Sequence, residues 1–458
     1  MSALLEVLRT EAPRPRRIVA LRSAPWLAVG AVCFGAFLGQ LDASIVTLAF
    51  GGIRDSFGSS LAAVQWVSLA YLLTLVALLV PVGRLADRFG RKQLYLYGFA
   101  VFTAASAACG MAPSLGWLIV FRVLQACGAA LLQANSVALV STAVPAERRR
   151  GALGMQAAAQ ALGLAIGPLI GGVLVDGLGW RWVFLVNLPV GALGLVAGYL
   201  LLPRTRERCA PGPVAITDPV LLALGAGLVL FGLSSVSGLD VPAAVPPCAL
   251  ALGVLALAGF VLRQRRSRIP LVPPWLFSTR VVRAGLSGAL VGYLVLFGPL
   301  VLVPALLPED AGLAGAVTTA LPAGFAVAAT LGSRLLPEAW SSRRRGVAGG
   351  VLCVLALLVL VFAATPVWLL AVGLFVLGIG LGLFTPANNA LVMSAVPASF
   401  SGLTGGMVNM ARGIGTALGV CVVTLVVSLA PVSALAVYGF GVLAFAAVLV
   451  VLAAARTN

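Results

Sequence analysis

The stretch Gly83-Arg-Leu-Ala-Asp-Arg-Phe-Gly-Arg-Lys92 lies at the inner end of a long apolar run and holds five charged residues, four of them basic. Gly83 permits the close approach of a second helix, and Gly90 permits a tight turn. Asp87 lies among basic side chains and can alternate between them as ion-pair partners. A basic loop with one neutralising aspartate would explain the charges but not the spacing of the glycines and Asp87. The spacing therefore indicates a specific motif.

The composition excludes a soluble protein. Of the 458 residues, 61% are hydrophobic and 9% are charged, whereas a soluble domain has about 25% charged residues. The mean hydropathy is +1.10. Fourteen apolar segments are each long enough to cross about 30 Å of hydrocarbon as a helix. We therefore predict an all-α polytopic membrane protein with fourteen transmembrane helices, near residues 25–48, 61–82, 94–112, 114–140, 151–175, 182–202, 217–237, 243–262, 284–306, 312–336, 347–365, 367–394, 403–429 and 432–454.

The basic residues predict the orientation. A formal charge of +17 would suggest nucleic acid as the partner of a soluble chain. With the N-terminus in the cytoplasm, 26 of the 30 basic residues fall in inner loops and tails, and the others are Arg54, Arg122, Arg181 and Arg412. This asymmetry follows the positive-inside rule. We expect both termini in the cytoplasm, a multi-pass position in the cell (inner) membrane, contacts with anionic inner-leaflet lipids, and no nucleic-acid partner.

An internal repeat divides the chain. At an offset of 252 residues, the stretch 138–146 matches 390–398, and Gly154, Met155, Gly163 and Gly167 match Gly406, Met407, Gly415 and Gly419. The offset spans an even number of helices, so the two copies have the same topology, as in the parallel repeats of transporters. We predict a cytoplasmic N-terminal tail at residues 1–24 and a first six-helix bundle at 25–208. Linkers with an inserted two-helix hairpin follow at 209–280, and a second six-helix bundle with a short tail occupies 281–458. The predominance of arginine over lysine (29 to 1) favours a bacterial source.

Asp42, near the middle of the first apolar segment, is the one acidic residue that no predicted loop contains. A charge at the centre of a span costs about 2.5–3.5 kcal/mol on insertion scales, so such a residue is a functional candidate. The chain has no histidine, which leaves Asp42 as the deep side chain best suited to carry a proton. Arg122 must be paired or hydrated, and Asp42 is its deep candidate partner. Two structural roles remain open: Arg122 could anchor backbone carbonyls, and a protonated Asp42 could hydrogen-bond for helix packing.

Two further patterns concern packing and the second half of the chain. Gly163-Leu-Ala-Ile-Gly-Pro-Leu-Ile-Gly-Gly172 provides a row of small residues for close helix approach and a proline that loosens the helical ladder. The second half has no deep acidic residue, and its deep polar residues include Asn388, Asn389 and Arg412. Arg412 occupies the repeat position of Gln160. It serves either helix packing or gating.

These stretches resemble the major facilitator superfamily. Gly83–Lys92 resembles its loop-two signature, Arg122–Ala130 its signature with an intramembrane arginine, and Gly163–Gly172 its antiporter signature, which is associated with exporters. The resemblance implies the fold of this superfamily. It also implies a cytoplasmic latch at Asp87 and Arg91 that holds the outward-facing state. The residues implied in gating and in the signatures are Gly83, Asp87, Arg88, Gly90, Arg91, Gly163, Gly167, Pro168, Gly171, Gly172 and Arg412.

Three more stretches resemble the fourteen-helix drug:H⁺ antiporter branch, which is of the multidrug efflux type. They are Leu41-Asp-Ala-Ser-Ile-Val46, Gln65-Trp-Val-Ser-Leu-Ala-Tyr71 and Trp180-Arg-Trp-Val-Phe-Leu-Val-Asn-Leu-Pro189. The inserted hairpin agrees with this branch. The chain departs from the pattern at Thr47-Leu-Ala-Phe-Gly51, where the signature usually continues as Asn-x-Ala-Leu-Pro. The second-half loop also keeps only the three arginines 343–345 of the latch pattern.

The resemblance implies a proton-coupled exporter of lipophilic small molecules or drugs that works by alternating access, with Asp42 and Arg122 in proton coupling. The alternative within transport is a dedicated exporter of one endogenous metabolite, such as an antibiotic, and the alternative outside transport is a membrane receptor. An enzyme is excluded because the predicted spans offer no histidine, one deep aspartate and no clustered cysteines. We expect protons and a small-molecule substrate as partners, a monomer, and no cofactor or metal. The expected substrate cavity contains Gln40, Ser44, Trp66, Tyr71, Gln125, Asn135, Tyr293, Asn388 and Asn389.

Overall fold

The structure is a computed structural model that describes residues 11, 13–59, 61–205, 217–235, 242, 244–267, 270, 272–307, 311–337, 339–363, 366–431 and 434–456. Most of these residues are helical. We number the longer helices α1 (Ala24–Ile45), α2 (Leu61–Phe89), α3 (Arg91–Gly110), α4 (Leu115–Ala143), α5 (Arg149–Leu178), α6 (Asn187–Leu201), α7 (Thr217–Ser235), α8 (Val245–Arg266), α9 (Arg280–Leu306), α10 (Ala311–Leu335), α11 (Ser342–Ala363), α12 (Val367–Ser394), α13 (Ser401–Leu429) and α14 (Leu435–Ala455). Shorter helical turns lie at Arg16–Val19, Val46–Ala49, Phe50–Phe57, Ala146–Arg148, Trp182–Leu185, Pro274–Ser278 and Ala398–Phe400.

The helices have the length and composition of membrane spans. In the described part of the chain, ten helices are long and apolar enough to cross a membrane. Every predicted apolar segment overlaps one of α1–α14. The prediction of an all-helical, multi-pass membrane protein is therefore confirmed. That all fourteen segments cross the membrane, and that both termini lie in the cytoplasm, stay predictions.

The motif that follows the second apolar run is helical over most of its length. The predicted span ends at residue 82, but α2 continues past Pro81 and Gly83 to Phe89. Gly90 has φ of 101°, a conformation that favours glycine, and α3 begins at Arg91. The connection between α2 and α3 is therefore a one-residue turn. The motif side chains lie on two helix ends.

Asp42 lies in the last turn of α1, so its predicted position near the middle of the span is wrong. The helix ends at Ile45 and continues as a 3₁₀ turn, Val46–Ala49, and then as the short helix Phe50–Phe57. The predicted span extends to residue 48 because hydropathy does not distinguish an α-helix from the tighter 3₁₀ turn that often follows it.

The sixth predicted segment is also interrupted. It consists of the short helix Trp182–Leu185 and of α6, which begins at Asn187. Pro189 lies in the first turn of α6, where its missing N–H and its ring disfavour a continuous helix from the preceding residues. The break places Asn187 at the start of α6.

The described helices form two compact units. The first comprises the described parts of Met1–Ala143, Ile166–Leu276 and Pro397–Met410, and the second comprises those of Val144–Ala165, Phe277–Val396 and Ala411–Asn458. Each unit thus contains a segment from the other half of the sequence. The domain boundaries predicted near residues 208 and 280 follow chain order, and they stay a prediction.

The internal repeat reappears in the close contacts of each unit. Within the second unit, a Cβ at Gly154 would collide with the backbone carbonyl of Ala329 on α10. Within the first unit, its repeat counterpart Gly406 would collide in the same way with the carbonyl of Leu79 on α2. Glycine permits the helices to approach each other this closely. The approach increases the van der Waals contact between them, which drives helix association in a bilayer because lipid tails provide no hydrophobic driving force. Both copies therefore use the same glycine for the same kind of contact.

Gly90→Ala should lower the midpoint of thermal unfolding in detergent. A Cβ at φ of 101° costs about 1–3 kcal/mol of strain. Gly172→Ala is the matched control, because a Cβ there meets no described residue within 4 Å and the helix interior favours alanine. Equal midpoints for the two variants would contradict the strained turn between α2 and α3.

Candidate functional site

A buried ion pair between Asp42 and Arg122 forms the centre of the candidate site in the first unit. Nη1 of Arg122 donates to Oδ2 of Asp42 at 2.7 Å, and neither side chain is more than 1% exposed. Oδ1 of Asp42 accepts from Nε2 of Gln125 at 2.9 Å and from Nδ2 of Asn187 at 3.0 Å. The carboxylate thus accepts three hydrogen bonds from side chains on α4 and α6. Its burial is compensated by one positive charge and two amides.

Arg122 has further contacts that hold its guanidinium. Its Nε donates to the carbonyl of Val67 on α2 at 3.0 Å, and its Nη1 also donates to Oε1 of Gln125 at 2.7 Å. Its Cζ lies 4.0 Å from the ring centroid of Tyr71 and 5.7 Å from that of Phe184. Arg122 therefore binds a backbone carbonyl and pairs with Asp42 at the same time. The carbonyl contact and the partner Asp42 that the sequence suggested for Arg122 are therefore both present.

Ser106 and Asn187 complete the cluster, and sequence reasoning missed both. Oγ of Ser106 accepts from Gln125 and Asn187, each at 3.1 Å, and donates to the carbonyl of Phe184 at 2.9 Å. Asn187 lies inside the quoted stretch Trp180–Pro189. As an amide residue in that stretch, it could have been recognised as a candidate. Ser106 lies in an alanine-rich stretch and gives no such signal.

Two oxygen atoms of the cluster have no hydrogen-bond partner among the described residues. They are Oη of Tyr71 and Oδ1 of Asn187, and both are buried. Buried polar atoms of this kind are commonly satisfied by water. These two oxygen atoms can therefore bind a water molecule or a polar ligand beside the ion pair.

The remaining predicted cavity residues of the first unit do not join this cluster through any described contact. Gln40 is half-buried on α1, and Oγ of Ser44 donates to the carbonyl of Leu41 at 3.1 Å. The ring of Trp66 lies 5.3 Å from that of Phe231 on α7, and Nδ2 of Asn135 donates to the carbonyl of Leu131 on its own helix. Of the predicted first-unit residues, the structure groups Asp42, Tyr71, Arg122 and Gln125.

The antiporter-like stretch has two glycines that pack closely against α1 or the turn after it. A Cβ at Gly167 would collide with Ser44, and one at Gly171 would lie 2.9 Å from Ile45. A Cβ at Gly172 would meet nothing within 4 Å among the described residues, so the packing reason given for the motif is wrong there. Gly163 is buried on α5. The side chain of Pro168 lies outside the described residues.

A second buried ion pair lies in the charged motif. Arg91 donates to Oδ1 of Asp87 through Nη2 at 2.7 Å and through Nε at 3.1 Å. Asp87 also accepts from the backbone N–H groups of Gly402 and Leu403, each at 2.8 Å. The carboxylate therefore caps the N-terminus of α13, where the helix dipole favours a negative charge.

The rest of the motif fits around this cap. A Cβ at Gly83 would collide with the carbonyl of Gly402, so only glycine allows α2 to approach the start of α13. Nη2 of Arg91 donates to the carbonyl of Ala398 at 2.6 Å. Arg88 is exposed, and its guanidinium lies 5.3 Å from the ring of Phe89. Asp87, Arg91 and Gly83 thus contact the second-half segment of the first unit, whereas no described contact joins Arg88 to it.

The second unit contains its own buried polar group. The guanidinium of Arg412 lies 5.1 Å from the ring centroid of Tyr293, and Nδ2 of Asn388 donates to the carbonyl of Gly285 at 2.9 Å. Asn389 is buried beside them, and all four residues line one small pocket with Thr385. The structure therefore brings together all the cavity residues predicted for the second half, with Arg412.

Long apolar helices with charged residues buried among them are typical of a membrane transporter. The family model described as Major Facilitator Superfamily matches residues 32–420, well over half of the chain. The chain therefore belongs to the Major Facilitator Superfamily. The relatives and the fold are those of transporters and not of enzymes.

The relatives include proteins named for antibiotic resistance. The chain is 31% identical over 406 residues to the methylenomycin A resistance protein of Bacillus subtilis, covering 87% of this chain and 86% of the relative. It is 32% identical over 422 residues to the tetracenomycin C resistance and export protein of Streptomyces glaucescens, covering 88% and 76%. The solved structure of the human organic anion transporter MFSD10 matches with a TM-score of 0.68 at 16% identity, covering 93% and 99%, which supports the fold.

Asn187→Ala should lower the midpoint of thermal unfolding more than Asn135→Ala. Asn187 donates to both Asp42 and Ser106, so its loss weakens the compensation of a buried carboxylate, at about 1–3 kcal/mol. The amide of Asn135, equally buried, bonds only to its own helix in the described contacts. Equal shifts in the two variants would contradict a special contribution of Asn187 to the cluster.

Proposed function

We propose that this protein is a proton-coupled exporter of lipophilic small molecules, of the kind that confers resistance to antibiotics or drugs. It would act as a monomer in the cell membrane, with fourteen membrane-crossing helices, both termini in the cytoplasm, and alternating access to a central site. The observation that carries the proposal is the fully buried Asp42–Arg122 ion pair with its amide donors, in a chain whose relatives are named for antibiotic resistance and export.

Proton binding to Asp42 would change the partners of Arg122. The ionised carboxylate accepts from Arg122, Gln125 and Asn187. A protonated carboxyl has lost the charge that holds the guanidinium, while the bond from Arg122 to the carbonyl of Val67 remains. Arg122 can then swing about that anchor. Protonation of Asp42 would thus displace α1 relative to α4.

The proton gradient supplies enough free energy for drug export. One proton gains about 2.3 kcal/mol per 100 mV of membrane potential and about 1.4 kcal/mol per pH unit. One-for-one exchange with a neutral compound then sustains a concentration ratio of about 500-fold at 100 mV and one pH unit. Asp42 would release its proton to the cytoplasm and receive another from outside in each cycle.

The capped start of α13 would serve as the latch in this cycle. Asp87 holds two N–H groups of α13, and Arg91 holds both Asp87 and the carbonyl of Ala398. These bonds link α2 and α3 to the segment that begins at Pro397, within one compact unit. Opening toward the cytoplasm would require that they break together. The latch therefore makes the conformational change cooperative.

The polar group in the second unit would contact the substrate. Arg412, Tyr293, Asn388 and Asn389 line one pocket that offers a cation, an aromatic face and two amides. Because Asp42 is neutralised by Arg122 in the first unit, the resting site does not present a lone carboxylate. The charge of this arrangement therefore does not favour cationic compounds. Neutral or oxygen-rich compounds suit this arrangement.

Asp42→Asn should abolish proton movement that depends on the substrate. The amide cannot exchange a proton, so adding tetracenomycin C, methylenomycin A or ethidium to acid-loaded proteoliposomes should raise the internal pH for the wild type and leave it unchanged for the variant. Binding of the same compound, measured by fluorescence quenching, should persist and show that the variant is folded.

Asp218→Asn is the matched control. Asp218 is also buried and ion-paired, to Arg263 at 2.9 Å, but it lies at the start of α7 outside the cluster. The control should retain coupled transport. Full coupled transport by Asp42→Asn, or loss in both variants alike, would contradict the proton role of Asp42.

A dedicated exporter of one antibiotic is the second candidate, and the relative named for tetracenomycin C resistance and export favours it. A panel of antibiotics, dyes and detergents tested in a pump-deficient bacterial host distinguishes the two. We expect protection against several chemical classes. Protection against one class alone would favour the dedicated exporter and contradict a multidrug range.

A further inference from the structure

A cavity of about 770 Å³ opens between α9 and α14 in the second unit, and its lining shares no residue with that of the pocket of Arg412 and Tyr293. Its wall on α9 includes Arg280, Arg283, Ser287 and Val291, which recur every three or four residues and so lie on one helix face. Its wall on α14 includes Leu449 and Leu452, followed by Arg456 just after the helix end. The cavity therefore has a charged end and an apolar end.

The charged end is suited to an anion. Arg280 and Arg283 lie in the first turn of α9, which contains no acidic residue, and the positive end of the helix dipole disfavours cations there. Both side chains are exposed, as is that of Arg456. None of the ion pairs among the described residues includes these three arginines. Three guanidinium groups around one cavity form a site for a phosphate group, which they bind through paired N–H donors.

The apolar end determines what kind of phosphate compound fits. From Arg280 to Val291 the α9 wall extends about 16 Å along the helix axis, and the opposite wall exposes 42% of Leu449 and 43% of Leu452. A free phosphate ion would use only the arginine end. A phospholipid would place its headgroup there and its first acyl carbons against the leucines and Val291.

We propose that the cavity between α9 and α14 binds an acidic phospholipid, with its phosphate held by Arg280, Arg283 and Arg456. Basic pockets between helices at the membrane surface recognise such headgroups. The site involves none of the residues assigned to proton coupling or to the substrate pocket, so it does not depend on the proposed function. It gives the general expectation of anionic-lipid contact a defined location.

Lipid titration by native mass spectrometry tests this site on the full chain in detergent. Dioleoylphosphatidylglycerol should bind more tightly than dioleoylphosphatidylcholine. Arg280→Gln with Arg283→Gln should weaken phosphatidylglycerol binding about fivefold for each arginine removed, since each surface arginine contributes about that factor. The matched control is Arg265→Gln with Arg266→Gln, which removes the same charge from exposed positions at the end of α8. Equal binding of the two lipids, or an equal loss in the control, would overturn the proposal.

A second variant separates a lipid from a free anion. Ser287→Phe fills the middle of the cavity without changing its charge, so it should weaken phosphatidylglycerol binding and leave the midpoint of thermal unfolding in lipid-free detergent unchanged. Inorganic phosphate and glycerophosphoglycerol, added as competitors, should displace the lipid only weakly. Strong displacement by either competitor, together with unchanged lipid binding in Ser287→Phe, would overturn the lipid assignment in favour of a small-anion site.

Discussion

The buried ion pair between Asp42 and Arg122 is the interaction on which the first unit depends. Two charges away from water are tolerable only when each is matched in charge and hydrogen bonding, and removing one partner of such a pair costs about 3–5 kcal/mol. The pair therefore constrains its neighbours. Through Val67, Ser106, Gln125 and Asn187, it fixes the mutual positions of α1, α2, α3, α4 and α6.

Glycine contacts hold the surrounding helices at the separation that these polar bonds need. A Cβ at Gly128 would lie 2.5 Å from the backbone nitrogen of Phe102, and one at Gly194 would collide with the ring of Phe99. These contacts bring α4 and α6 close to α3, which carries Ser106. Small residues and buried polar groups thus act together, since close helix approach is what allows short side chains to bond across helices. The same logic applies where Gly83 lets α2 reach the capped start of α13.

The fold and the charged residues of the site were predictable from sequence because both carry a large energetic signal. Long apolar segments indicate helices, and a membrane acid such as Asp42 requires a partner, which limits the choice to Arg122. Ser106 was not predictable because an uncharged polar side chain costs little in a span until its hydrogen bonds are counted. Asn187 was signalled only by its place in the stretch Trp180–Pro189. Two helix ends were missed, since hydropathy reports neither the 3₁₀ turn after Ile45 nor the continuation of α2 to Phe89, whereas Gly90 itself indicated the tight turn that follows.

In the proposed transport cycle, Asp42 gains and loses a proton. Infrared difference spectroscopy of the reconstituted protein, recorded while the pH is lowered, detects the carbonyl stretch of a newly protonated carboxyl group directly. We predict a protonation band in the wild type that is absent in Asp42→Asn and that reverses when a transported compound is added. A spectrum in which Asp42 stays ionised across the pH range of coupled transport would contradict the proposed proton role of Asp42.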